Sequence, residues 1–363
     1  MTENTKNNNR KKEEEKEEER LEERLEEFWD FVLTRLKNIK EKTIKNYSKN
    51  SQNRKHNVFN CINDYTIRRY MGLGRSFDSK LGNEIQKIAM KLARVKYGDI
   101  NVPNIILINT EDENNNRKFK LNLYTIKDNF QQRVFYNIKS DDFFENYDKD
   151  KIESDKSTSI EFTLHKNDIK ANLTQLNKRK ITEKKESIDQ YKKFLVDLLY
   201  IENIDDTTKT KITTFELKSG GNLDTKNSIA NVNEVKLLKD IFKFFPQNDS
   251  FFATTYNNAG EGSPSGSVFA ELLKNNLESK VGVDFWNMVL PEELDYESFI
   301  NNYKQKFIES GIEEGYKSLD TIPDVINLKK DSKKKKDSKI DPKKIVVKKK
   351  LSPKRTKKDN GEV

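Results

Sequence analysis

The sequence predicts an α/β fold in which a mixed sheet of four or five strands is flanked by helices. Helical patterns at residues 75–95 and 229–245 alternate with short strand-like runs at 104–108 and 251–256. Between them, residues 197–218 have the pattern of a β-hairpin. Strands that alternate with helical segments in this way are typical of a sheet covered by helices.

The amino-terminal region, residues 1–57, is predicted to be a charged leader, an amphipathic helix and a polar connection to the main body. Within residues 21–39 the apolar positions recur every three or four residues, which places them on one face of a helix. We expect this face to pack against the chain's own domain, and the alternative is a partner helix, such as one from a second copy of the chain. The apolar positions are Leu21, Leu25, Phe28, Trp29, Val32, Leu36 and Ile39.

Charge is distributed unevenly along the chain. The 363 residues carry a net charge of +9, and 36% of them are charged. Residues 329–363 contain 16 basic and five acidic residues, a local charge of +11, which leaves −2 for residues 1–328. Because it has few apolar residues to bury, the segment 326–363 is predicted to be a disordered basic tail. Such a tail either attracts polyphosphate without sequence preference or serves only as a solubilising end.

Several classes of protein are excluded by composition. The single cysteine, Cys61, rules out a disulfide framework and a zinc site built on cysteines. With only His56 and His165 as histidines, metal chemistry would have to rest on carboxylates. No apolar run approaches the ~20 residues of a membrane-spanning helix, and the first residues lack the apolar segment of a signal peptide. We therefore expect a soluble, cytoplasmic protein without a membrane partner.

The most informative stretch is VDLLYIENIDDTTKTKITTFELKSGGNLDTKN, residues 196–227. Two runs of β character, Asp197–Ile201 and Ile212–Lys218, flank a turn rich in Asp and Thr. Polar turn residues between two such runs are a hairpin signal. The sequence therefore predicts that the two runs pair as adjacent strands.

Side chains alternate between the two faces of a strand, so Glu216 and Lys218 are predicted to lie opposite Phe215 and Leu217. If Asp197 begins the neighbouring strand, its carboxylate comes close to that of Glu216. Two carboxylates repel each other and are stabilised by a shared divalent cation, and Mg²⁺ prefers such oxygen ligands together with a substrate phosphate. A nearby lysine can orient or deprotonate water and stabilise negative charge on phosphorus. The pattern therefore predicts Mg²⁺-dependent phosphodiester hydrolysis.

An aspartate followed by Glu-X-Lys in this strand-turn-strand context resembles the PD-(D/E)XK nuclease superfamily. The segments FELKSGGNLDTKN, FFATTYNNAGEGSPSGSV and VGVDFWNMV resemble type II restriction endonucleases of that superfamily. The resemblance implies a restriction-endonuclease-like core within residues 58–325. It implies that Asp197, Glu216 and the carbonyl of Leu217 hold Mg²⁺ while Lys218 positions the attacking water.

The same resemblance implies an activity and partners. A type II restriction endonuclease cuts both strands of double-stranded DNA at a short specific site, leaving 5′-phosphate and 3′-hydroxyl ends, as a defence against foreign DNA. Because a two-fold symmetric site is most simply read by a two-fold symmetric protein, a homodimer is expected. A cognate DNA methyltransferase is expected as the genetic partner.

Several assignments stay open at this level. The proline that usually precedes the aspartate in the family is Val196 here, so Asp205 and Asp206 are alternatives to Asp197, although they sit in the expected turn. Glu84 resembles the additional acidic metal ligand on the first core helix of such nucleases, and the alternative is an exposed helix residue. Asn257 could contact DNA or close a turn.

Two other functions are compatible with the sequence. One is a repair or recombination nuclease with the same core. The other is a noncatalytic nucleic-acid-binding protein, in which the charged amino-terminal helix serves assembly and the basic tail serves as an anchor. Trp286 is predicted to belong to the core rather than to a base-stacking surface.

Overall fold

A computed structural model of the protein describes residues 3–54, 65–113, 116–126, 129–136, 158–165, 192–220, 225–257, 259–260 and 262–321. The chain divides into two units, Met1–Lys317 and Ser318–Val363. The basic tail, residues 326–363, lies outside the described residues, so its disorder stays a prediction.

The described residues form the following elements in chain order. The helices are α1 (Glu3–Arg54), α2 (Tyr65–Tyr97), α3 (Thr225–Ile241), α4 (Ser267–Lys274), α5 (Val283–Val289), α6 (Tyr296–Glu309) and α7 (Ile312–Lys317), and a 3-10 helix covers Ser318–Thr321. The strands are β1 (Ile105–Glu113), β2 (Asn116–Tyr124), β3 (Gln132–Tyr136), β4 (Thr158–His165), β5 (Lys192–Val196), β6 (Leu198–Glu202), β7 (Lys211–Lys218), β8 (Gln247–Thr254) and β9 (Ser279–Val281). No helix in the described part of the chain is long and apolar enough to cross a membrane.

The strands form two sheets rather than the single sheet of four or five strands that the sequence predicted. A five-stranded sheet has the order β4-β2-β1-β3-β5, in which the neighbours β1 and β3 are parallel and the other three neighbouring pairs are antiparallel. A four-stranded sheet has the order β6-β7-β8-β9, in which β6 and β7 form an antiparallel hairpin and β7, β8 and β9 run parallel to one another. The α/β class is therefore confirmed, and the number of sheets was underestimated.

The additional sheet arises from a region whose pattern carried little information. Residues 110–180 are rich in Asn, Asp and Lys, and their apolar positions alternate only weakly. In the structure, β2 pairs with β4 and β3 pairs with β5, so strands far apart along the chain become neighbours. Pairing between distant segments is decided by packing in the folded chain, and local alternation does not encode it.

The helix α1 is continuous over 52 residues. Its apolar stripe is buried, with Phe28, Val32 and Leu36 at 0% exposure, and α1 contacts α2, α6 and α7. The expectation that the stripe packs against the chain's own domain is confirmed. The polar segment expected to lead from residue 40 to the main body belongs to α1 as far as Arg54, and Thr43 and Tyr47 extend the buried face by two further turns. Residues 55–57 lie outside the described residues, so the connection itself stays a prediction.

Aromatic packing fixes the orientation of β7. Phe215 is fully buried, and its ring centroid lies 5.5 Å from that of Phe285 in α5 and 5.7 Å from that of Phe251 in β8. Leu217 is buried on the same face. Burial of each such side chain contributes roughly 1.5–3 kcal/mol to the free energy of folding. A strand with its two faces exchanged would lose this stabilisation. Glu216 and Lys218 are thereby kept on the opposite face of β7.

The indole of Trp286 also belongs to the core. It is 5% exposed and donates a hydrogen bond from Nε1 to the carbonyl of Thr255 at 2.9 Å. The prediction of a core role for Trp286 is confirmed. This bond ties α5 to the segment that follows β8.

Candidate active site

Asp197 occupies the single residue between β5 and β6, where the chain passes from one sheet to the other. Its side chain is 24% exposed, and Oδ2 accepts a hydrogen bond from the backbone nitrogen of Leu217 at 2.9 Å. Because Leu198 pairs with Phe215, the preceding residue lies beside Glu216. The hairpin predicted from the sequence is confirmed, and it brings Asp197 to the carboxyl end of β7.

Lys218 contacts both carboxylates. Its Nζ lies 2.6 Å from Oε1 of Glu216 and 3.4 Å from Oδ2 of Asp197. These three side chains were selected from the sequence, and the fold brings them together at one point. We call this group the Asp197–Glu216–Lys218 cluster.

The electrostatics of the cluster favour a cation. Glu216 is only 15% exposed, and this burial, together with the charge of Asp197, raises its pKa to about 7 although Lys218 acts in the opposite direction. For Lys218 burial favours the neutral amine, but the attraction of Asp197 and Glu216 outweighs it and raises the pKa. At neutral pH the lysine is therefore an ammonium group, and the two carboxylates carry more negative charge than it neutralises.

The carbonyl of Leu217, expected to be a metal ligand, lies beside α2. The side-chain amide of Gln86 donates to it through Nε2 at 3.4 Å. Gln86 was not identified from the sequence. The helical spacing could have identified it. Gln86 lies two residues after Glu84 on α2, so when Glu84 faces one side of the helix, Gln86 is the polar residue that faces the other side.

Glu84 is buried, with 5% exposure, and points toward α1. Its carboxylate lies 2.7 Å from Nζ of Lys87 and 3.7 Å from Nε of Arg35. Positions two apart on a helix are separated by about 200°, which explains why Gln86 faces β7 while Glu84 does not. In this structure the carboxylate of Glu84 links α1 to α2, and its role as a metal ligand stays a prediction.

The alternative aspartates lie at the other end of the hairpin. Asp206 accepts hydrogen bonds from the backbone nitrogen of Thr208 at 3.0 Å and from its hydroxyl at 2.7 Å. Asp205 is exposed in the same turn. The turn precedes Lys211, and Glu216 lies five positions further along the strand, a distance of about 17 Å at 3.3 Å per residue. The fold therefore brings Asp197, and neither Asp205 nor Asp206, beside Glu216.

The segment after β8 closes on itself through Asn257. Its Nδ2 donates to the carbonyls of Gly260 at 2.9 Å and Gly262 at 2.7 Å, and its Oδ1 accepts from the nitrogen of Ala259 at 3.0 Å. Both polar atoms of this amide are thus used within the turn. Of the two roles considered for Asn257, turn closure is the one that its contacts show.

The donor set of the cluster is small. Among the described residues, no group of three or more His, Cys, Asp or Glu side chains is placed to bind a metal ion. The cluster instead offers two carboxylates, and the backbone carbonyl of Leu217, between Glu216 and Lys218 in the chain, is a further oxygen. Such a set suits Mg²⁺, which is usually bound by one or two carboxylates and completes its coordination with waters and substrate phosphate.

Compared with models of protein families, with curated proteins and with solved structures, the chain has no significant match to any of them. Its function must therefore be inferred from the geometry and chemistry of the cluster.

Proposed function

We propose that this protein is a Mg²⁺-dependent nuclease that hydrolyses phosphodiester bonds of double-stranded DNA, with Asp197, Glu216 and Lys218 at its active site. The observation that supports this proposal is the convergence of the two carboxylates on the ammonium group of Lys218, at 3.4 Å and 2.6 Å. Lys218 also lies at the carboxyl end of β7, beside a parallel strand. In open α/β sheets, ligands bind outside the carboxyl ends of parallel strands.

Asp197, Glu216 and the carbonyl of Leu217 would hold the metal. The repulsion between the carboxylates supports this assignment, because it contributes to the raised pKa of Glu216 and a divalent cation would relieve it. Asp197 is held in place by the nitrogen of Leu217 through Oδ2. When bound, Mg²⁺ supplies Lewis-acid stabilisation of negative charge on the phosphate and lowers the pKa of water.

Lys218 acts as a donor in this proposal rather than as a base. Its raised pKa keeps the amine protonated at neutral pH, so it can orient the attacking water and stabilise charge that develops on the phosphate oxygens. Held between Asp197 and Glu216, the ammonium group is oriented before substrate binds. Such preorganisation lowers the cost of reaching the transition state.

The order of elements around the cluster supports a restriction-endonuclease-like core. The helix α2 and the strands β1–β5 precede the hairpin β6–β7, which begins directly after Asp197 and carries Glu-X-Lys, and α3 then leads to β8, which runs parallel to β7. Together with the resemblance of residues 215–227 to type II restriction endonucleases, this order leads us to propose site-specific cleavage by a homodimer that leaves 5′-phosphate ends. A DNA methyltransferase would protect the host sites.

Incubation of the protein with unmethylated phage DNA and Mg²⁺ tests the proposal directly. Discrete fragments that disappear on chelation are the expected result. A smear, or nicking confined to branched or frayed DNA, would identify a repair or recombination nuclease with the same core. DNA that stays intact under all these conditions but shifts in a gel would overturn the catalytic proposal in favour of a noncatalytic binding protein.

A further inference from the structure

Gln132 links the two sheets through its side chain. It begins β3 in the five-stranded sheet and is 2% exposed. Its Nε2 donates to the carbonyl of Leu199 in β6 at 2.8 Å, and its Oε1 accepts from the nitrogen of Leu199 at 2.6 Å. Nε2 also donates to the carbonyl of Pro103 at 2.8 Å. The amide therefore binds both polar backbone groups of Leu199, as a neighbouring strand would.

Asp197 lies between the two positions that Gln132 holds. The backbone of Gln132 is paired with Val196 in the ladder between β3 and β5, and its side chain binds Leu199. Only Asp197 and Leu198 separate these points. The bend at which the chain changes sheets is thus held on both sides by one residue.

Contacts with β7 complete the placement of this bend. Leu198 pairs with Phe215, and Oδ2 of Asp197 accepts from the nitrogen of Leu217 at 2.9 Å. A hydrogen bond of this kind weakens steeply when its distance or angle changes. A small shift of the bend would therefore separate the carboxylate of Asp197 from both Leu217 and Lys218.

We propose that Gln132 is a positioning residue for the active site: by binding both sides of the bend, it sets the carboxylate of Asp197 relative to Glu216 and Lys218. Gln132 acts through Asp197 and does not touch the substrate. The inference rests on the proposed nuclease function, because it assigns the effect of Gln132 to metal binding. It gives the five-stranded sheet, whose strand β5 ends directly before Asp197, a second role in placing this carboxylate.

The substitution Gln132→Met tests this role, because it preserves side-chain length and removes the hydrogen bonds to Leu199 and Pro103. The Mg²⁺ concentration for half-maximal cleavage should rise at least roughly tenfold, as is typical when residues that orient metal ligands are changed. The KM for DNA should stay unchanged, because the DNA-contacting surface is intact. Thr214→Val is the matched control, since it removes a buried hydrogen bond to Ser250 (2.8 Å) within the four-stranded sheet. Its Mg²⁺ dependence should equal that of the wild type.

The substitution Gln132→Glu provides a second test, because this variant keeps part of the hydrogen bonding of Gln132 and remains informative even if its stability is reduced. At this buried position beside two carbonyls the introduced carboxyl group is expected to stay protonated. It then accepts from the nitrogen of Leu199 but donates to only one of the two carbonyls that the amide of Gln132 binds, so an intermediate Mg²⁺ dependence is expected. Both variants are compared at a temperature where circular dichroism shows them folded. Folded Gln132 variants with the Mg²⁺ dependence of the wild type, or an equal change in Thr214→Val, would overturn the proposal.

Glu216→Gln in the same assay separates this inference from the proposed function. If Glu216→Gln is inactive and the Gln132 variants behave as wild type, the positioning role fails and the nuclease assignment stands. If Glu216→Gln cleaves as well as wild type, the nuclease site itself has been assigned wrongly, and the positioning role falls with it.

Discussion

The ammonium group of Lys218 lies 2.6 Å from the carboxylate of Glu216, two residues earlier on β7. Residues two apart on a strand face the same side, so this contact follows from the strand alone. What makes the pair chemically distinctive is the second carboxylate, that of Asp197, at 3.4 Å from the same nitrogen. A single lysine between two acidic groups leaves a net negative site, which favours a divalent cation.

The first prediction compares two lysines of β7. Lys218→Ala should abolish cleavage, because under the proposed function it removes the donor that would orient water and stabilise charge on the phosphate. Lys211→Ala is the matched control: Lys211 is 30% exposed against 32% for Lys218, and it forms an ion pair with Asp249 at 2.9 Å at the other end of the strand. It should cut DNA at the wild-type rate, as followed by fragment formation in Mg²⁺. Comparable rates for the two variants would remove Lys218 from the mechanism.

The second prediction compares two aspartates. Asp197→Asn should be inactive, because under the proposed function it removes a charge that would bind the metal beside Glu216. Asp206→Asn should stay active, since Asp206 bonds within its own turn to Thr208 and lies near Lys209 at 3.2 Å. Cleavage rates at saturating Mg²⁺ provide the measurement. The reverse order of activities would show that Asp206, and not Asp197, supplies the essential carboxylate.

The third prediction concerns pH and the stability of the metal-free protein. Glu216 has a pKa of about 7 in the folded chain against a usual value of 4.5. Between these values the folded state binds a proton that the unfolded state lacks, so the stability due to this group falls as pH rises through the window. The variant Glu216→Gln does not lose this stability, because glutamine does not ionise. Its free energy of unfolding relative to that of the wild type should therefore increase from about pH 4.5 to about pH 7 by up to roughly 3 kcal/mol.

Chemical denaturation in a chelator at about pH 5 and about pH 8 measures this difference. Added Mg²⁺ should reduce it, because the cation stabilises the ionised carboxylate of the wild type. In cleavage assays the Mg²⁺ requirement should rise roughly tenfold for each pH unit below about 7, since a proton would compete with the proposed metal ion for Glu216. A stability difference independent of pH would contradict the assignment of a raised pKa.

The fourth prediction concerns the tail. Deletion of residues 329–363 removes a charge of +11 and few apolar residues, so the melting temperature should stay nearly constant. If the tail binds phosphates, its deletion should weaken nonspecific DNA binding and flatten the salt dependence by about 0.9 in the log–log slope for each phosphate that the tail neutralises. Specific cleavage at low salt should persist. Binding isotherms at several salt concentrations decide the matter, and parallel slopes would identify a tail that serves only solubility.

Much of the site could be predicted from local sequence. The alternation in Ile212–Lys218 places Glu216 and Lys218 on one face, and the structure confirms it because Phe215 and Leu217 are buried on the other. The apolar stripe of α1 was recognised for the same reason. Periods of two and of 3.6 residues are properties of the backbone itself, so any chain that adopts these elements repeats them.

Two features of the site could be identified only from the tertiary structure. They are the choice of Asp197 among the three aspartates and the side-chain amide of Gln132 that binds next to it. Asp197 became the partner of Glu216 through strand pairing, and Gln132 reaches Leu199 across 67 positions of the chain. Local sequence does not specify contacts over such separations. These contacts depend on which sheets pack together in the folded chain. Local periodicity was therefore sufficient to place Glu216 and Lys218 on one face of β7, whereas the packing of two sheets selected the distant groups that meet them there.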